Sequence, residues 1–188
     1  TLAFAEGADL SIVLNGTTVD TQHTQLNVVG QVNLTGADLV LSGMYSPRPG
    51  DTIVIVNNDG TDPIIGTFRG LPEGSQFFNF FGSGLYATIS YTGGTGNDVV
   101  LLVESPETLV ELTGGALAIT DVKGGTSNDT LTLSVVGDNL RIHDPHLTLG
   151  GNTGTIQVDR HTVDVPLASI TGSVTILTLA GDDTVTVT

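Results

Sequence analysis

The sequence predicts an all-β fold, and three observations predict it. The apolar residues are mainly Val, Leu and Ile and the polar ones mainly Thr, Asn, Asp and Gly, a mixture suited to pleated strands joined by tight turns. The apolar residues alternate with polar ones or run in short bursts, with no stripe at helical spacing. Gly makes up 25 of the 188 residues and interrupts the chain too often for a helix to extend.

The strands follow one another closely. In the first half they are expected at residues 10–14, 25–29, 31–34, 38–41, 52–56, 64–68, 86–91 and 98–103. In the second half they are expected at 109–112, 117–121, 130–135, 140–143, 155–159, 162–165, 174–179 and 184–187. The gaps shrink to Gly30 alone or to Thr35-Gly36-Ala37. Short strands at this spacing fit a right-handed parallel β-helix, a β-solenoid of stacked coils, or else an antiparallel β-sandwich.

Self-similarity favours the solenoid. Gly96-Asn97-Asp98 followed by an alternating strand recurs as Ser127-Asn128-Asp129 and as Gly181-Asp182-Asp183, each a polar corner feeding a strand. A Pro-containing acidic patch, Glu104-Ser105-Pro106-Glu107, interrupts the series, because Pro cannot donate to a ladder. It divides the chain into a subdomain of residues 1–104 and a second β-repeat subdomain of residues 105–188, continuous with the first.

Twenty acidic residues against five basic ones give a formal net charge of −15. That field repels phosphate backbones and anionic membranes, so neither nucleic acid nor a membrane is the expected partner. Its natural counterions are cations such as calcium; the same charge also keeps a β-rich surface soluble. The absence of Cys excludes disulfides and thiolate metal sites. No apolar run approaches the roughly 18 residues of a membrane helix. The chain opens at Thr1 with no basic segment before an apolar run, and reads as a mature protein or an excised segment.

Several stretches together carry a resemblance. They are Leu26-Asn-Val-Val-Gly-Gln-Val-Asn-Leu-Thr-Gly-Ala-Asp-Leu-Val-Leu41, Pro49-Gly-Asp-Thr-Ile-Val-Ile-Val-Asn-Asn-Asp-Gly60, Gly66-Thr-Phe-Arg-Gly-Leu-Pro-Glu-Gly74 and Ile89-Ser-Tyr-Thr-Gly-Gly-Thr-Gly-Asn-Asp-Val-Val-Leu101. This run resembles the autotransporter-associated β-strand repeat of passenger regions and giant bacterial surface proteins. Val165-Pro-Leu-Ala-Ser-Ile-Thr-Gly172, leading to Leu179-Ala-Gly-Asp-Asp-Thr-Val185, is similar to segments that often follow it. The resemblance implies a parallel β-helix displayed outside the bacterial cell, acting as a stalk, scaffold, adhesin or filament-forming unit. It brings no catalytic residues, and the outer-membrane barrel of the autotransporter pattern is not expected within these 188 residues.

Candidate sites are few. Gly93-Gly-Thr-Gly-Asn-Asp-Val-Val-Leu101 fits the calcium-roll nonapeptide of repeats-in-toxin proteins, which makes Asp98, Asp129 and Asp183 calcium candidates; the alternative is that these residues cap corners through their own backbone. The oxygen-rich run Asn57–Asp62 fits a calcium loop or a plain turn. His143, His146 and His161 are possible zinc ligands only if they converge.

The aromatic burst around Phe77 and Phe81, with Tyr45, is either a surface for stacking on a carbohydrate or a cap over the core. Leu2 and Phe4 at one end and Val185 and Val187 at the other are candidates for end-to-end assembly, by β-augmentation with another copy or with the rest of a larger surface protein. No nucleophile elbow, phosphate loop or nucleophile–base pairing is present, and the basic residues are too scattered for a lyase cleft, so no enzyme is expected. The expected function is that of an extracellular structural or adhesive segment. The alternative is a carbohydrate-binding or calcium-binding adhesion module.

Overall fold

Strands with alternating burial recur along the whole chain in the structure, a computed structural model that describes residues 1–188. The protein is all-β, built of several small sheets, none of them closed. It separates into two compact units, residues 1–77 with 87–104 and residues 78–86 with 105–188. The division near Ser105 falls at the Pro-containing patch, but residues 78–86 belong to the second unit.

The first unit contains β1 (Leu2–Ala3), β2 (Asp9–Val13), β3 (Leu26–Val28), β4 (Val32–Asn33), β5 (Asp38–Ser42), β6 (Thr52–Asn58), β7 (Ile64–Ile65), β8 (Gln76–Phe77), β9 (Tyr86–Gly93) from its second residue onward, and β10 (Asp98–Glu104). Three parallel ladders run through it. Leu2 pairs with Val32 and Val32 with Ile64; Leu10 pairs with Leu39; Leu26 pairs with Val56. In each ladder the partners lie 29 to 32 positions apart in sequence.

Because side chains alternate across a strand, this register stacks like on like. Ile12, Leu14, Val28, Val32, Leu34, Ile53 and Ile55 are all buried. The same offset brings backbones close together: a Cβ on Gly43 would lie 2.0 Å from the Leu14 carbonyl oxygen, and Gly43 has φ +116°. Asp9 lies opposite Asp38, an unfavourable like-charge pair, and Arg69 places its guanidinium on Asp38. After β7 the pattern changes, since β10 pairs antiparallel with β6 and β8 pairs antiparallel with β9.

The second unit contains β11 (Thr108–Thr113), β12 (Ala116–Asp121), β13 (Thr130–Val136), β14 (Asn139–His143), β15 (Leu149–Gly151), β16 (Ile156–Asp159), β17 (Thr162–Pro166), β18 (Val174–Leu177) and β19 (Thr184–Val187). Here β11–β12, β13–β14 and β16–β17 are antiparallel pairs, and β14 also pairs antiparallel with β17. This departs from a stack of purely parallel coils. Gly114 and Gly115, both at positive φ, form the tight turn that sends β12 back along β11, and Gly137 does the same before β14.

On these hairpins lies a second, parallel layer. β18 runs along β12 with Leu117 opposite Val174, and β19 runs along β13 with Leu131 opposite Val185. The two sheets share one core of Val110, Leu117, Ile119, Leu131, Leu133, Ile142, Leu149, Val163 and Val165.

Candidate functional site

The most unusual chemistry of the chain lies at one corner of the second unit, where strand ends carry aspartates. Asp121 closes β12, Asp129 precedes β13, Asp144 follows β14 and Asp183 precedes β19. The stacking of β19 on β13 superimposes two of the recurring corners. The Asp129 amide donates to Asp183 Oδ1 at 3.0 Å, and the Asp182 amide donates to Asn128 Oδ1 at 2.9 Å. A side chain at Gly181 would strike the Ser127 carbonyl, so the closeness of the two corners requires glycine there.

Three of these carboxylates are almost fully buried: Asp121 at 2%, Asp129 at 0% and Asp144 at 0% exposure. Asp144 is well supplied, accepting from the amides of Thr130, His146 and Leu147. Asp121 accepts the Lys123 amide at 3.1 Å and the Ser127 hydroxyl at 3.3 Å. Asp129 accepts the Thr108 hydroxyl on Oδ1 at 2.8 Å, while its Oδ2 is buried without a hydrogen-bond partner. Burial pushes the Asp129 carboxyl above the usual carboxylate range, opposed by the Thr108 hydroxyl and reinforced by the charges of Asp121, Asp183 and Asp144.

Asp98, the third candidate for calcium, lies in the first unit and meets the second candidate motif there. Its Oδ1 accepts the Asn58 amide and its Oδ2 the Thr95 amide, both at 2.8 Å. The side-chain amide of Asn97 donates to the Asp62 carbonyl at 3.0 Å. The nonapeptide and the Asn57–Asp62 loop, separate in sequence, are therefore two faces of one corner. Both Asp98 oxygens cap main-chain donors, which is the corner-capping arrangement. A Cβ on Gly94 would reach within 2.1 Å of Asp98 Oδ2, so the nonapeptide glycine makes room for that cap.

The remaining candidates lie elsewhere. Tyr45 is 6% exposed, and its hydroxyl donates to Asp51. It is thus core rather than a stacking surface, although it borders an open groove of about 310 Å³ lined also by Asn15, Gln22, Met44, Arg48 and Asp51. Phe77 and Phe81 are half-buried. The aromatic burst leaves the strand after Phe77, where Asn79 and Phe81 take positive φ and residues 80–82 form a 3-10 turn. Phe80 and Phe81 pack edge to face at 4.9 Å.

The histidines do not converge: His143 Nδ1 lies 3.1 Å from the His161 carbonyl, His161 Nδ1 lies 2.8 Å from the Leu147 carbonyl, and His146 is exposed. Leu2 and Phe4 are half-buried, with their amides already donating to Gln31 and Asn33, so this segment is the first strand of its own sheet. Val185 and Val187 are 42% and 73% exposed on β19, the edge of its sheet.

Asp121 and Asp144 escape a reading of the sequence because each stands outside the recurring Asn-Asp corner. The available signal is position: both are aspartates at the C-terminal end of a strand. No protein-family model, curated protein or solved structure matches this chain.

Proposed function

We propose that the chain is a structural segment of an extracellular bacterial surface protein, a non-catalytic spacer or scaffold whose first unit is a right-handed parallel β-helix. The observation that carries this reading is the common offset of 29 to 32 residues in the three parallel ladders of residues 1–65. One repeat length in three ladders is what successive coils of a solenoid require. Right-handedness follows the strong general preference of crossovers between parallel strands. In such a fold, main-chain ladders along the stacking direction resist load. The sequence resemblance to autotransporter-associated repeats points to the same role.

Partners in this reading are further layers of the same surface protein. Val174, Val185 and Val187 occupy the positions that Leu117, Leu131 and Leu133 fill one layer below. The next layer would continue that column, stacked in parallel as β18 and β19 are.

Localisation is tested by labelling intact source cells with antibody to this chain, before and after protease shaving. Surface signal lost on shaving is the expected result, and signal confined to lysed cells overturns the reading.

The adhesive alternative has one specific support, the polar groove beside Tyr45 with Asn15, Gln22, Arg48 and Asp51 offering donors and acceptors. Saccharide binding abolished by Asn15→Ala and Arg48→Ala on a glycan array would favour it.

A further inference from the structure

Two carboxylates, Asp121 and Asp129, are buried on either side of Thr108. Thr108 pairs with Asp121 across the β11–β12 ladder and donates its hydroxyl to Asp129. Neither forms an ion pair, and the chain's two ion pairs lie at Arg69–Asp38 and Arg141–Asp164. A buried carboxylate oxygen with no donor is costly, and native structures rarely leave one without a cause. Asp129 Oδ2 is such an oxygen, at a residue with 0% exposure, and the negative charges of Asp121, Asp183 and Asp144 act on the same carboxyl.

Asp144 already takes three amide donors, and Asp183 takes the Asp129 amide. Asp121 takes only the Lys123 amide at 3.1 Å and the Ser127 hydroxyl at 3.3 Å, and Asp183 is half-exposed, so the least compensated buried charge is that of Asp129, with Asp121 next. A single proton neutralises one carboxylate, whereas one divalent cation neutralises both. The chain's other positive charges are few, five basic residues against twenty acidic ones.

We propose that the corner between Asp121 and Asp129 binds a hard divalent cation of the calcium class. Three acidic or histidine side chains are not gathered as a ready ligand set. Two carboxylates are enough for calcium, which completes its six to eight oxygen ligands from hydroxyls, main-chain carbonyls and water. The consequence is local to the second unit. Asp129 also joins β13 to β19 through its amide, so an ion held there fixes the outer layer on the hairpins beneath it. This inference stands independently of the cell-surface reading.

The test is thermal unfolding of the full chain at constant ionic strength, in EDTA and in about 10 mM calcium chloride, for the wild type and Asp129→Asn. A site of extracellular strength, with a dissociation constant near 0.1 mM, raises the wild-type midpoint by roughly 5 °C or more. The Asp129→Asn variant is expected to melt no lower than the wild type in EDTA, because it removes the unpaired charge, and to lose the calcium response. Isothermal titration then shows one ion per wild-type chain and none per variant. If Asp129→Asn fails to fold, Asp121→Asn provides the same comparison.

A wild-type midpoint indifferent to calcium overturns the proposal, and so does a calcium shift that survives in both variants. A midpoint that responds to acid but not to calcium assigns the neutralising role to a proton and overturns it as well.

Discussion

The side-chain amide of Asn57 donates to the side-chain oxygen of Asn27 at 2.9 Å across thirty residues of sequence. The same spacing places the Met44 amide on Asn15 Oδ1, the Gly30 amide on Asp59 Oδ1 and the Arg69 guanidinium on Asp38. Polar corners and apolar interior thus share one register, and sliding any coil by one residue would turn its interior side chains outward while breaking these bonds.

That register makes Gly43 intolerant of a side chain. Gly43→Ala puts a methyl group against the Leu14 carbonyl at a backbone conformation with φ +116°. The expected cost is about 2 kcal/mol or more, from strain and overpacking together. Urea unfolding measures it. Gly7→Ala, also at positive φ but with open space around it, should cost less.

Tyr91 links β9 to the loop after β7. Its hydroxyl accepts the Phe68 amide at 3.0 Å and donates to the Leu71 carbonyl at 2.7 Å. Burial pushes its pKa up to about 12 from an ordinary value of 10, with Glu73 adding to the rise and the Phe68 amide opposing it. Since the folded value lies above the unfolded one, the contribution is complete below pH 10 and is lost as pH rises towards about 12. Stability of the wild type should therefore fall across that alkaline window. Tyr91→Phe should flatten this dependence while lowering stability at pH 7 by about 1–2 kcal/mol through the two lost hydrogen bonds. Chemical denaturation at a series of pH values checks both effects.

The two ion pairs should differ in weight. Arg141 grips Asp164 with two 2.8 Å bonds across the β14–β17 ladder, and the Asp164 side chain is only 8% exposed. Arg69 and Asp38 are both far more open to water. Asp164→Ala should lower the melting midpoint clearly more than Asp38→Ala, and only the latter should become neutral in high salt.

Leu131 and Val185 face each other in the β13–β19 ladder, yet Leu131 is 1% and Val185 42% exposed. Leu131→Ala should cost about 2–5 kcal/mol by opening a cavity in the core. Val185→Lys should cost no more than about 1 kcal/mol, and should raise solubility by placing a charge on an open edge strand. Paired urea titrations and a concentration series in light scattering measure the two effects.

Period-two alternation and short Gly-containing breaks placed strands such as residues 52–56 and 184–187 within a residue or two of β6 and β19, because alternation is a local property of sequence. The short strands β1, β8 and β15 escaped because two or three residues carry too little pattern, and Leu149-Gly150-Gly151 reads as a loop. The Asn-Asp corners were legible as turns for the same local reason, and the copies at Ser127 and Gly181 stack on each other in register.

Pairing is another matter. A strand's own residues do not say whether its neighbour lies two residues away, as β11 and β12 do across Gly114 and Gly115, or 54 residues away, as Asp129 and Asp183 do. Burial of a carboxylate follows from pairing. Asp98, Asp129 and Asp183 look alike in sequence, but tertiary packing gives both Asp98 oxygens amide donors, half-exposes Asp183, and buries one oxygen of Asp129 without a hydrogen-bond partner. Sequence alone determined where strands and corners form, since backbone preference and alternation act within a few residues. Only the tertiary structure decided which corner carries a buried charge, since that depends on strands brought together from distant parts of the chain.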